Sequence, residues 1–218
     1  MLGVLLHFNS RIAFSGAEVS LMATLLFNEI VIDLYVNRMK TKVEGDERFD
    51  GGGLVVFEPE FASDRPDRRL FLHAKLATEI AEGVDEWGRR VGRLQSDFEK
   101  FVMGQHVTLS MTPFQHKAAY MGLLDPASEG IWEIRSVDPK PGLRVFGKFP
   151  SMDTFVALNW EPRSKKFGGK KPLGAGKSLE YQIAMIEADQ RWNEVLPGLL
   201  PLTGGDFDDY VSKNSSRV

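Results

Sequence analysis

The chain contains no cysteine. Disulfide bonds, thiolate nucleophiles and cysteine-ligated zinc are therefore excluded. Its four histidines, His7, His73, His106 and His116, form no H-x-x-x-H or H-E-x-x-H pair. We therefore expect no dedicated metal site and no cofactor. The lack of cysteine also fits a reducing, cytoplasmic compartment.

The chain also lacks a strong excess of either charge, because 27 Lys and Arg stand against 30 Asp and Glu, for a formal net charge of −3. Taken whole, this composition predicts no general affinity for nucleic acid or membranes. Residues 131–178, however, carry ten basic and four acidic side chains, whereas residues 179–218 carry three basic and seven acidic ones. A basic stretch inside an acidic protein indicates an anionic partner for one face.

Residues 17–36 are apolar, but Glu18, Glu29 and Asp33 interrupt them. Each acid would cost roughly 2.5 to 3.5 kcal/mol near the centre of a bilayer, and no basic segment or cleavage site precedes the stretch, so we expect neither a membrane anchor nor a secretory signal. Two interpretations stay open: an amphipathic helix that packs on the core or on a partner, and translation that begins at Met39. Residues 1–50 are therefore treated as an N-terminal extension.

The middle of the chain predicts a strand followed by helices. Residues 40–53 read as a charged, glycine-rich linker, and 54–59 as a strand that Pro59 ends. Apolar residues then recur at helical spacing from Pro66 to Phe101, as one long helix or as two helices in a hairpin, since Gly83, Gly88 and Gly92 weaken the middle. Between residues 105 and 128 we expect a short strand, HVTLSM, and a short helix that begins at Pro113.

Three strands follow, at 131–137, 143–149 and 154–160, separated by DPKPG and PSMD. Because both separators have turn chemistry, the three strands predict an antiparallel meander. Strand alternation would place Arg135, Arg144 and Lys148 on one sheet face. Residues 178–196 predict an amphipathic helix lined by Leu179, Ile183 and Ile186, and by Trp192 or Val195. The folded domain is then residues 51–200, and residues 201–218 form a polar tail.

The stretch GAGKS at 174–178 has the ending of a phosphate-binding loop. A full motif needs a glycine at position 171, which is Lys171, and a parallel strand immediately before the loop. We therefore interpret Ser178 as the cap of the last helix. The lysines of this region, with Arg163, are typical of a loop that contacts a phosphate backbone, or of a solvated loop without a partner.

The order of these elements resembles RelE/HigB-type toxins of toxin–antitoxin pairs, particularly their phage-derived relatives. The resemblance is carried by GIWEIR, LRVFGKF and FVALNW, by the lysine-rich loop and by the helix at KSLEYQIAMIEA. It covers residues 54–196. It implies an α+β fold with a small antiparallel sheet, built from a strand, a helical hairpin, a three-stranded meander and a C-terminal helix. It also implies a ribosome-associated mRNA endonuclease without metal, and a cognate antitoxin as partner.

In that chemistry a 2′-hydroxyl attacks its own phosphodiester, which requires a base, a cation at the phosphate and an acid at the leaving oxygen. The resemblance assigns phosphate stabilisation to Arg144, with Arg135 beside it, and leaves Tyr181 or His116 as proton-transfer candidates. It assigns RNA contacts to the following cations: Lys148, Arg163, Lys165, Lys166, Lys170 and Lys171.

Two other interpretations stay open. The chain is a non-catalytic phage or mobile-element protein that binds nucleic acid or a protein through its basic sheet face, or a small nucleotide-binding protein that uses residues 174–178. Arg135 and Arg144 would then pair with acids such as Glu133 and Asp153, as charges on a sheet surface commonly do.

Overall fold

A computed structural model describes residues 49, 53–59, 66–82, 84–113, 118–163, 173 and 178–218. Within these residues the chain forms one sheet of eight strands and three α-helices. The strands are β1 Leu54–Val56, β2 Arg69–His73, β3 Val107–Ser110, β4 Met121–Leu123, β5 Ile131–Ser136, β6 Leu143–Ser151, β7 Thr154–Pro162 and β8 Ser215–Arg217. The helices are α1 Ala74–Glu82, α2 Val84–Val102 and α3 Leu179–Val195.

The sheet has the order β1-β2-β7-β6-β5-β4-β3-β8 and is mixed. Strands β5, β6 and β7 form the predicted antiparallel meander. The pairs β2/β7, β3/β4 and β3/β8, by contrast, are parallel. The prediction of a small antiparallel, RelE-like sheet is therefore wrong, because parallel pairings between strands far apart in the chain extend the meander on both sides.

The region predicted as helical from Pro66 begins instead with the strand β2, which pairs in parallel with β7 and sets Leu72 opposite Ala157. Leu70, Phe71 and Leu72 are all buried. Such a continuous apolar run is typical of a parallel strand that is covered on both faces. The helical part that follows comprises α1, which ends at Glu82, and α2, which begins at Val84. Gly83, on which the choice between one long helix and two helices depends, lies outside the described residues. The helix predicted from Pro113 is wrong over residues 121–123, which form β4.

Helices cover both faces of the sheet, so its central strands are buried almost throughout. On the face packed against α1 and α2 lies an aromatic cluster, in which the ring of Tyr210 is 4.7 Å from Trp132 and 5.3 Å from Phe149. Helix α3 covers the opposite face, where Phe146 and Tyr181 meet edge to face at 5.5 Å. Neighbouring residues of β5 and β6 thus enter two different cores.

The predicted polar tail, residues 201–218, is part of the folded unit. Strand β8 pairs with β3, and Tyr210 and Val211 are fully buried. The buried guanidinium of Arg68 donates to the carbonyl oxygens of Lys213 and Asn214. The prediction failed because the segment is polar in composition and its few apolar residues are placed by pairing with a strand about one hundred residues earlier.

The N-terminal extension lies outside the described residues, apart from Phe49. That ring is buried and stacks on Phe71 at 4.3 Å between centroids, on the α3 side of the sheet. None of the described helices is both long and apolar enough to cross a membrane.

Candidate functional site

The register of the meander places the predicted cations on one face of the sheet. Arg135 on β5 lies opposite Arg144 on β6, and Glu133 lies opposite Phe146. Because alternate residues of a strand face the same side, Glu133 and Arg135 share a face with Arg144 and Lys148. This is the face that α3 covers.

Three side chains meet on the carboxylate of Glu133. The Nε atom of Arg135 lies 2.7 Å from Oε1 of Glu133, and Nε of Arg144 lies 3.4 Å from Oε2. The hydroxyl of Tyr181, in the first turn of α3, donates to the same Oε2. We call Glu133, Arg135, Arg144 and Tyr181 the Glu133 cluster. The structure therefore brings the three predicted catalytic residues together around an acid that the sequence suggested only as an ion-pair partner.

The Glu133 cluster is buried: Glu133 is 3% exposed, Arg135 6%, Arg144 9% and Tyr181 3%. Burial lowers the pKa of the Arg144 guanidinium, and the Glu133 carboxylate opposes this shift without cancelling it. Burial, followed by the Glu133 carboxylate, raises the pKa of the Tyr181 phenol, so Tyr181 stays protonated at neutral pH. A phenol tuned in this direction is a poor proton-transfer group near neutrality.

Gly122 on β4 completes the space around the Glu133 cluster. It lies opposite Glu133, and the guanidinium of Arg135 occupies the volume that a Cβ at position 122 would need. A side chain at this position would therefore push Arg135 away from its carboxylate. The glycine is required here by close packing.

Further polar contacts fix α3 to the same face. Lys148, predicted to contact RNA, is 2% exposed and its Nζ lies 2.6 Å from Asp189 of α3. The amide of Asn159 donates to the carbonyl oxygen of Ala184 at 2.9 Å, and Arg191 donates to that of Leu158 at 2.6 Å. Lys148 is thus a buried structural cation in this arrangement.

Sequence reasoning missed Asn159, Asp189 and Arg191, and of the residues it placed on the inner face of α3 it was right for Trp192 but wrong for the three aliphatic ones. The side chains that face the sheet are Tyr181, Ala184, Met185, Ala188, Arg191 and Trp192. The predicted inner residues Leu179, Ile183 and Ile186 are exposed. The available signal was the pair of alanines one turn apart, because small side chains let a helix approach a sheet closely.

The segment between β7 and α3 is fixed at both ends beside the Glu133 cluster. The backbone N–H of Arg163 donates to Gly142 at 2.7 Å, and that of the buried Leu173 donates to Pro162 at 3.0 Å. The charge of Arg163 also acts on Arg144 and Tyr181. The hydroxyl of Ser178 accepts from the N–H of Tyr181 at 3.3 Å, so the cap prediction is confirmed.

Several predicted residues lie outside the described part of the chain: His116, Lys165, Lys166, Lys170, Lys171 and the 174–177 part of the GAGKS stretch. Asp153, suggested as a partner of the sheet arginines, instead approaches Arg68 at 3.8 Å. Among the described residues no three His, Asp or Glu side chains are grouped so that they could hold a metal ion.

A cavity of about 250 Å³ lies away from the Glu133 cluster. It lies between the end of β1 and the start of β2, next to Phe57, Pro66 and Arg69. Among the described residues, none of those predicted to form the site lines this cavity.

Comparisons with protein-family models, with curated proteins and with solved structures found no match to this chain. The toxin resemblance therefore stays a prediction from the residues alone.

Proposed function

We propose that this protein binds RNA through the basic segment 163–177. Two observations support this: the segment is strongly basic, and hydrogen bonds attach it to the end of the meander. It holds six cations and no acid in fifteen residues: Arg163, Lys165, Lys166, Lys170, Lys171 and Lys177. Arg163 and Leu173 are both held to the end of the meander by backbone hydrogen bonds.

The predicted cations of the sheet are not available to a partner, because acids of the same chain already pair with them. Arg135 and Arg144 share Glu133, and Lys148 pairs with Asp189, all beneath α3. The earlier hypothesis of a basic sheet face open to a polyanion is thereby corrected. A cluster of lysines in a segment that contains no acid supplies the salt-sensitive term that dominates protein–RNA affinity.

The test measures the affinity of the full-length protein for a fluorescent single-stranded RNA at several salt concentrations. Replacing Lys165, Lys166, Lys170 and Lys171 with Gln should lower the slope of log K against log salt by about 3, since each phosphate contact contributes about 0.7. The matched control removes four other cations, Lys75, Arg89, Lys213 and Arg217, which are exposed elsewhere. Equal losses in both variants, or tighter binding to DNA of the same sequence, would contradict the proposal.

A second candidate is the metal-independent endoribonuclease with a cognate antitoxin. It is favoured by one observation, the convergence of Arg135, Arg144 and Tyr181 on Glu133 beside the basic segment. For a phosphodiester to reach these groups, α3 would have to move, since every member of the Glu133 cluster is at most 9% exposed.

Cleavage distinguishes the two candidates. Attack by the 2′-hydroxyl would leave a 2′,3′-cyclic phosphate on one fragment and a free 5′-hydroxyl on the other. Such fragments from ribosome-bound mRNA, together with growth arrest that Arg144→Ala abolishes in a protein shown to be folded, would favour the nuclease. Salt-sensitive RNA binding with intact RNA would favour the binding protein.

A further inference from the structure

The outer face of α3 is apolar although it faces solvent. Leu179, Ile183 and Ile186 are 66%, 54% and 57% exposed, and their spacing of four and three residues places them on one side of the helix. The other exposed residues between Leu179 and Gln190 are Gln182 and Gln190 itself, and the acids Glu180, Glu187 and Asp189 are only partly exposed. A surface helix normally carries charged residues on its solvent side.

The inner face of α3 does not explain these residues, because it is occupied by other side chains. Tyr181, Ala184, Ala188 and Trp192 pack against the sheet and are buried. The helix thus has two apolar sides, of which only one is covered by the described part of the chain. The outer stripe, defined as Leu179, Ile183 and Ile186, is an unoccupied docking face among these residues.

We propose that residues 17–36 of the same chain dock on this outer stripe. The chain approaches α3 from the correct side of the sheet. Phe49 is buried in the core beneath α3, stacked on Phe71, and Gly53 passes so close to Val195 that a Cβ would overlap its side chain. The chain therefore passes the C-terminal end of α3 at Gly53, four residues after Phe49.

The lengths fit. Residues 37–48 connect the segment to Phe49, and twelve extended residues span up to about 40 Å. Helix α3 has 17 residues and is therefore about 25 Å long. The linker is long enough for residues 17–36 to reach every turn of the outer stripe.

The sequence of the segment has the pattern that such a face requires. Ala23, Phe27, Ile30 and Leu34 are spaced by four, three and four residues, which puts them on one helical face. Glu18, Glu29 and Asp33, spaced by eleven and four residues, fall on another. The acids would thus stay in water while the apolar residues contact Leu179, Ile183 and Ile186.

The absence of cysteine allows a direct test by thiol labelling. Full-length protein with the single change Ile183→Cys is treated with a maleimide, and its labelling rate is compared with that of Met152→Cys. Met152 is a matched control because it is 48% exposed, in the β6–β7 turn. We expect Cys at position 183 to react about tenfold more slowly than Cys at position 152. Adding Phe27→Asp and Ile30→Asp should make the two rates equal.

Three outcomes would overturn the proposal. Equal rates at the two positions without the aspartates would show an open face. Protection that persists with both aspartates would show another occupant. Protection that rises with protein concentration, accompanied by disulfide-linked dimers of Ile183→Cys, would assign the face to a second copy of the chain. A doubly substituted protein, Phe27→Cys with Ile183→Cys, should instead form a disulfide within one monomer.

Discussion

The two faces of the sheet are built from different kinds of contact. The face under α1 and α2 is closed by aromatic and aliphatic side chains, with Trp132, Phe149, Phe155 and Tyr210 packed ring against ring. The face under α3 buries the ion pairs of Glu133 and Lys148 among its apolar residues.

Apolar contacts stabilise in proportion to buried area and tolerate exchange of similar shapes. Buried ion pairs gain little net stability but leave an uncompensated charge when one partner is lost. Both faces therefore gain stability from buried apolar residues, and we expect the ion pairs of the second face to specify where α3 and its outer stripe lie.

The largest effect is expected from removing the shared carboxylate. Glu133→Gln leaves Arg135 and Arg144 opposite each other on adjacent strands, both buried and without their acid. We expect the free energy of unfolding to fall by about 3 to 5 kcal/mol, measured by urea denaturation. Glu129→Gln, a few residues earlier and exposed, should leave the unfolding midpoint unchanged.

Replacing the whole Glu133 cluster sharpens this prediction. Glu133→Leu combined with Arg135→Met, Arg144→Met and Tyr181→Phe removes every charge at once. Because apolar groups of similar volume often replace a buried ion pair without loss, this variant should be markedly more stable than Glu133→Gln. If it is equally unstable, the α3 face depends on its charges for stability and the contrast between the two faces fails.

A smaller loss of stability is expected when either of two tyrosine hydroxyls, one on each face of the sheet, is removed. The hydroxyl of Tyr181 donates to the charged Glu133, whereas that of Tyr210 donates to the neutral carbonyl oxygen of Gly204 at 2.9 Å. Tyr181→Phe should lower the free energy of unfolding by about 1.5 to 3 kcal/mol, and Tyr210→Phe by about 0.5 to 1.5 kcal/mol. Both are measured by the same denaturation experiment, and equal losses would contradict the distinction.

Much of the meander was predictable because its signals are local. The alternation in β5 and β6, the turn sequences between the strands and the Ser178 cap each depend on residues a few positions apart. Arg135 and Arg144 could be placed on one face for the same reason. Sequence patterns of this range decide which elements form and where they turn.

The partners of the meander were not predictable, because they come from distant parts of the chain. Strand β2 lies beside β7 about eighty residues later, and although its apolar run is typical of a covered parallel strand, nothing local in RLFLH identifies β7 as its neighbour. The inner face of α3 was missed for a related reason. Its outer stripe has the larger aliphatic residues, so periodicity favoured Leu179, Ile183 and Ile186 over Tyr181, Ala184 and Ala188.

The smallest effect is expected from protonation of His73, a buried residue that contacts α3. His73 at the end of β2 is buried, its Nδ1 accepts from the N–H of Lys75 at 3.2 Å, and its Nε2 lies 3.9 Å from Glu194 of α3. Burial, followed by the nearby Arg191 cation, lowers the pKa of His73, although Glu194 opposes this shift. The folded protein therefore holds this imidazole neutral.

The sign of the pH dependence follows from that lowered pKa. Below the unfolded value, about 6.5, the unfolded chain takes up a proton that the folded protein resists, so stability is complete above this pH and falls as the pH is lowered towards the folded pKa. The slope can reach at most about 1.4 kcal/mol per pH unit, since one proton is involved. His73→Gln should weaken the dependence of the unfolding midpoint on pH between pH 7 and 5. His106→Gln, at an exposed position, should leave that dependence unchanged. Identical profiles for His73→Gln and the unchanged protein would mean that protonation of this imidazole does not oppose folding, and that the buried polar contacts of α3 tolerate an added charge.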